Sequence, residues 1–325
     1  MNIRRKFFQL CLASSLLVSH AHAEEDEEVT PGFIPSVSSS NSVVVHPSKP
    51  RRGDLFTVYT FLEDARISRV PARIFDYEFE MIRVSNTVMR GIAAVPLDAK
   101  AGDYDLRIYL PTQDLLTRVE VLHREWPVSV LNVSSRFTKE PNAKTKRTLQ
   151  MDEKAWNSMF YELASKPKYN GAFVRPVTGR TTAVFGTKRT FNDQLQTRHE
   201  GLDLEGRTGT PIFAMAAGRV VMSSMRFVSG GTTTIDHGNG LFTSYFHMSK
   251  RRKQVGDWVS AGERIGRVGS SGRVTGPHLH LAIMVRVERL AEDGSRKSVG
   301  LYVDPEPLLE YSLWGESDYL EQRVR

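Results

Sequence analysis

GPHLHLAIMV, residues 276–285, sets His278 and His280 into a run that otherwise reads as a buried strand. Side chains alternate along a strand, so positions two apart share a face. Both imidazoles then point the same way, about 7 Å apart along the chain. Such a pair serves one of two purposes. It is either two hydrogen-bonded core histidines, or two rings at one centre, one binding a metal and the other working just outside it.

The other histidines bear on that choice. Of the nine in the chain, His20 and His22 fall in the first 23 residues and His46 and His123 stand alone. The remaining five, His199, His237, His247, His278 and His280, lie within one β-rich stretch. RHEGLDLEG (198–206) holds His199 and Asp203 four positions apart. On a straight strand they would lie about 13 Å apart, too far to meet one ion. Gly201 between them can take a bend closed to other residues and let them converge. Asp203 is flanked by Leu202 and Leu204, and a carboxylate in such company needs a partner: a metal, or a salt bridge to Arg198 or Arg207. With His280 the pair supplies two imidazoles and a carboxylate, a catalytic zinc set with the fourth position left for water. HExxH is absent, so the helical zinc-protease arrangement is excluded.

The chain has 325 residues, enough for two domains. MNIRRK (1–6), the apolar FFQLCLASSLLV (7–18) and AHA (21–23) form, in order, the three parts of a secretory signal peptide cleaved before Glu24. The apolar run is too short to span a membrane. The single cysteine, Cys11, lies in that segment, so the exported protein carries no disulfide. Loss of Arg4, Arg5 and Lys6 lowers the formal charge from +7 to +4, a mild excess suited to a polyanionic surface.

Acidic, Pro- and Ser-rich residues 24–41 read as a flexible leader. Residues 42–131 read as a small immunoglobulin-like β-sandwich: SVVVHP, DLFTVYTFL, GDYDLRIYLP and LLTRVEVLH are all strand-like, and Leu106, Ile108 and Leu110 alternate with polar residues. A linker at 132–169 carries a connector helix over 151–165, with Trp156, Phe160 and Leu163 at helical spacing. From 170 to 310 the chain is again β-rich, with a hairpin signal at Asn239-Gly240, and 311–325 is a tail without a motif. The expected fold class is mainly β: the sandwich, then an antiparallel β domain, joined by a short helix.

HEGLD (199–203), GTPIFAMAAGRV (209–220), YFHMS (245–249), VGDWVSAGERIGRVGSSGRVTGPHLHL (255–281) and VDP (303–305) resemble the lysostaphin/LytM-type zinc endopeptidases of the bacterial cell wall. The ordered series HxxxD, YxH and HxH carries the resemblance. It implies one zinc ion held by His199, Asp203 and His280, catalytic roles for His247 and His278, and a structural role for His237. It also implies peptidoglycan peptides as substrate, residence in the periplasm or outside the cell, and neither nucleic-acid binding nor integral membrane association. Members that cut glycyl-glycine bonds carry a tyrosine shortly before the first ligand, whereas FGTKRTFNDQLQTRH (185–199) offers only Phe191. The resemblance is therefore to two-domain exported members, with a D,D cross-link implied as the target. Some relatives lose ligands and activate other wall hydrolases; this chain keeps all five positions. A regulatory protein, or self-inhibition by the N-terminal region with Asn142 occupying the water position, is the implied control.

Overall fold

The computed structural model describes residues 42–310 except 112, 162–167, 170–172, 194 and 292. The expected signal peptide, leader and tail, and Leu163 of the expected helix, lie outside the described residues.

The histidine pair begins a strand of 13 residues, His278–Leu290. Leu279 and Leu281 through Val285 are fully buried, because neighbouring strands and loops cover both faces. Antiparallel partners flank it on either side. Leu202–Glu205 sets Asp203 opposite His280, and Leu241–Met248 sets Phe246 opposite the same residue. Arg296–Val303 pairs with its C-terminal half. Gly230–Asp236 and Gly218–Arg226 extend the sheet beyond Leu241–Met248. The Asn239-Gly240 hairpin forms as expected, both residues taking positive φ (50° and 75°).

Upstream, seven strands between Val43 and Val121 pair antiparallel. Leu106, Ile108 and Leu110 are buried, as their alternation requires. Two links tie this region to the histidine-bearing sheet. Tyr77 and Glu78 pair with Arg289 and Glu288, so hydrogen bonding runs on from one to the other. Val128–Leu131, at the end of the expected sandwich, instead runs parallel to Lys188–Phe191, which pairs in turn with Leu195–Arg198.

The helix covers Ala143–Ser158. It therefore starts before the expected 151 and ends before Phe160. Its first two turns, AKTKRTLQ, show no apolar period to betray them. Asn142 caps them, its Oδ1 accepting from the Thr145 N–H at 2.9 Å. Asn142 thus serves the helix, and it lines neither cleft of the site described below. No helix among the described residues is long and apolar enough to cross a membrane.

Candidate metal centre

His199 follows the short strand Leu195–Arg198, and Asp203 lies in Leu202–Glu205. The chain bends between them at Gly201, so the i,i+4 pair meets: His199 Nε2 lies 2.9 Å from Asp203 Oδ1. Gly201 is not in the left-handed region; space is what demands glycine there. A Cβ at this position would sit 2.5 Å from both His280 Nε2 and the Leu281 carbonyl oxygen. His280 Nδ1 completes the group, 2.9 Å from Asp203 Oδ1 and 2.9 Å from His199 Nε2.

The donor chemistry of this triangle fits a metal. His199 Nδ1 donates to the Val184 carbonyl at 2.7 Å, which leaves Nε2 with a lone pair in the neutral ring. Two imidazole nitrogens and a carboxylate oxygen thus converge, and a shared proton or a cation must lie among them. The equal 2.9 Å sides come close to the edge of about 3.3 Å expected for tetrahedral zinc with bonds of about 2.0–2.1 Å. Asp203 Oδ2 accepts from Arg189 Nη2 at 2.6 Å, so Arg189 takes the place expected of Arg198 or Arg207.

His247 and His278 flank the triangle. His247 Nδ1 donates to the Ser271 carbonyl (2.8 Å), and His278 Nδ1 donates to that of Gly276 (2.9 Å). In both rings Nε2 is left as the free lone pair. The His278 Nε2 lies 3.5 Å from Asp203 Oδ1, and the two ring centroids are 5.0 Å apart. His247 has φ 62°, a left-handed conformation uncommon outside glycine, held by the hydrogen bond from its N–H to Ser229. Phe246 stacks on His280 at 5.2 Å.

Burial would raise Asp203, but contacts with the His199 and His280 nitrogens overcome it and hold the carboxyl well below the usual carboxylate range. Burial pulls His280 down to about 4 and, helped by the neighbouring His280 and His278, His247 down to about 3. His237 stands apart, fully buried, with Nδ1 on the Ala217 carbonyl and Nε2 on the Thr243 hydroxyl.

Two clefts, of about 460 and about 430 Å³, open on the group. Arg189, Phe191, His247 and Arg273 line both, so the clefts flank one wall. The helix lends Leu149, Asp152 and Trp156 to the first.

Residues 197–293 match the family model of Peptidase family M23. The chain carries a peptidase M23 domain. All five site residues lie within that match. The chain is 44% identical over 88 residues to the peptidoglycan DD-endopeptidase ShyA of Vibrio cholerae, a stretch that is 27% of this chain and 20% of ShyA. It is 43% identical over 82 residues to the DD-carboxypeptidase/endopeptidase Mpg of Neisseria meningitidis, 25% of this chain and 19% of that one. The aligned stretches thus span about a fifth of these relatives' length. The fold is shared over a longer stretch with the crystal structure of an M23 peptidase from Pseudomonas aeruginosa. That likeness has a TM-score of 0.58 at 22% identity and covers 80% of this chain and 95% of that one.

The structure brings together the five polar residues singled out by the motifs, and adds Arg189 and Arg273, which no motif marked. Arg189 lies in KRTF (188–191), one basic residue among several, and only its ion pair with Asp203 singles it out.

Proposed function

We propose that the chain is an exported zinc endopeptidase that hydrolyses peptide bonds in peptidoglycan stems or cross-links, favouring D,D bonds over glycyl-glycine bonds. The observation that carries this reading is the triangle of His199 Nε2, Asp203 Oδ1 and His280 Nδ1, flanked by the two free lone pairs of His247 and His278. The names of ShyA and Mpg support the substrate class, and that substrate lies outside the cytoplasmic membrane. The absence of tyrosine before His199 supports D,D specificity.

One zinc ion held by His199, Asp203 and His280 would supply Lewis acidity, polarising the scissile carbonyl and lowering the pKa of a water to about 7. His247 and His278 handle the proton. As the water oxygen bonds to the carbonyl carbon, a neutral imidazole Nε2 takes its proton; the C–N bond then breaks and the leaving amine receives a proton. Burial keeps the His247 ring neutral at pH 7. Arg189 fixes Asp203 and balances its charge. An open groove suits a flexible peptide better than a closed pocket does.

A regulatory reading rests on the helix. Asp152 Oδ2 accepts from the Phe227 N–H at 2.7 Å, and Trp156 packs on Phe246 and Tyr302, so the helix walls one side of the groove. Self-restraint by this element is part of the proposal. The test is to incubate the chain from Glu24, and its His278→Ala variant, with cross-linked muropeptides and weigh the products. Conversion of dimers to monomers, stopped by chelation and restored by zinc, with an inert variant, is the expected result. A zinc-loaded chain that cleaves nothing would instead support an activator of other wall hydrolases.

A further inference from the structure

Arg273 lines both clefts beside His247, yet among the described residues its guanidinium has no carboxylate or carbonyl partner. It lies over the Phe191 ring, with Cζ 4.5 Å from the centroid, and the Arg189 cation is near enough to act on it. The other groove arginines are engaged. Arg189 is neutralised by Asp203, Arg198 donates to the Gly186 carbonyl at 3.2 Å, and Arg226 donates to the Asp152 carbonyl at 3.0 Å while lying over Trp156.

The position is rigid. The Arg273 N–H donates to the Val228 carbonyl at 2.8 Å. Gly272 before it has φ +85°, and a Cβ there would lie 2.3 Å from that same carbonyl oxygen. A planar fork held against an aromatic ring, open to a groove and without a counterion, matches a carboxylate, which it can bind through two parallel hydrogen bonds.

We infer that Arg273 binds a free carboxylate on the residue that carries the leaving amine. The inference rests on the endopeptidase reading and narrows its substrate. A terminal D-amino acid, and a diamino dicarboxylic acid cross-linked through the amine of its second amino-acid centre, both carry a carboxylate on the carbon next to the scissile nitrogen; a lysine-type cross-link carries none there. An internal glycyl-glycine bond carries none. Arg273 therefore selects D,D bonds by charge, independently of the triangle that activates water.

The test uses two peptides that differ only in this group, one with the free carboxylate and one with its primary amide. Both are cleaved by the same preparations of the zinc-loaded full chain, wild type, Arg273→Lys and Arg273→Gln. The ratio of kcat/KM for acid over amide is immune to partial unfolding, since both substrates meet the same enzyme. Wild type should favour the acid by about 10- to 100-fold, the range of a charge-assisted hydrogen bond. Arg273→Gln should bring the ratio close to unity, chiefly through KM, with Arg273→Lys between. Equal ratios in wild type and Arg273→Gln, or no preference in wild type, would overturn this inference alone. A wild-type chain that cleaves neither peptide nor cross-linked muropeptides would overturn the endopeptidase reading, and this inference with it.

Discussion

His199, His247 and His278 each give the Nδ1 proton to a backbone carbonyl, so three loops set three tautomers and aim three Nε2 lone pairs inward. Second-sphere groups of this kind commonly control metal affinity. Arg189→Gln, which removes the cation on Asp203 Oδ2, should lower zinc affinity by about 10- to 100-fold, read by competition with a chelator; unchanged affinity would deny Arg189 a part in the site. His247→Asn keeps a residue that tolerates positive φ. It should fold and retain zinc, yet cleave muropeptides at least about 100-fold more slowly; full activity would remove His247 from the proton path. Motif order made the five polar residues legible, helped at Asp203, His247, His278 and His280 by apolar neighbours. Arg189 was not legible, since a surface arginine and a site arginine look alike until the fold brings one side chain to Asp203. The reason for Gly201 was likewise hidden: its neighbour in space, His280, lies far along the chain.

At the level of elements, the helix Ala143–Ser158 is held to the groove by few contacts, and none of its residues is fully buried. Asp152→Ala deletes the acceptor of the Phe227 N–H. Loss of one such bond is worth about 1 kcal/mol, so KM for cross-linked peptidoglycan should fall about fivefold if the helix restrains access. A rise in KM would make the helix part of the substrate platform instead. The strands were legible from alternation, as Leu106 and Ile108 attest, because one face is wet and the other buried. The start of the helix was not, because AKTKRTLQ has Leu149 as its only large apolar residue and depends on a cap rather than a packed face. The strand Val128–Leu131 fell at the end of the expected sandwich, but its pairing with Lys188–Phe191 was not legible, since partner choice is a long-range matter.

Across the whole molecule, a further tie joins the upstream strands to the histidine-bearing region. Arg124 bridges Asp54 and Asp304, the aspartate of VDP, while Trp126 meets Phe185 edge-on at 5.9 Å. Stability should follow the buried titratable groups. Burial lowers His237 from its ordinary 6.5 to about 4, so between those values the unfolded chain binds more protons than the folded one. Its contribution is complete above pH 6.5 and is lost as pH falls toward 4, on the order of 3 kcal/mol in all. Asp54, raised by burial to about 6, acts in the opposite sense, favouring the fold as pH falls below 6. Denaturant midpoints at pH 7.5 and 5.0 should therefore differ less in His237→Gln than in wild type; an identical difference would contradict the assignment. Zinc stoichiometry by native mass spectrometry shows whether three residues hold the zinc while two others stand beside it. One zinc is expected in wild type, His247→Ala and His278→Ala, and none in His199→Ala, Asp203→Ala or His280→Ala. Zinc retained by the last three folded variants, or absent from wild type, would contradict that arrangement.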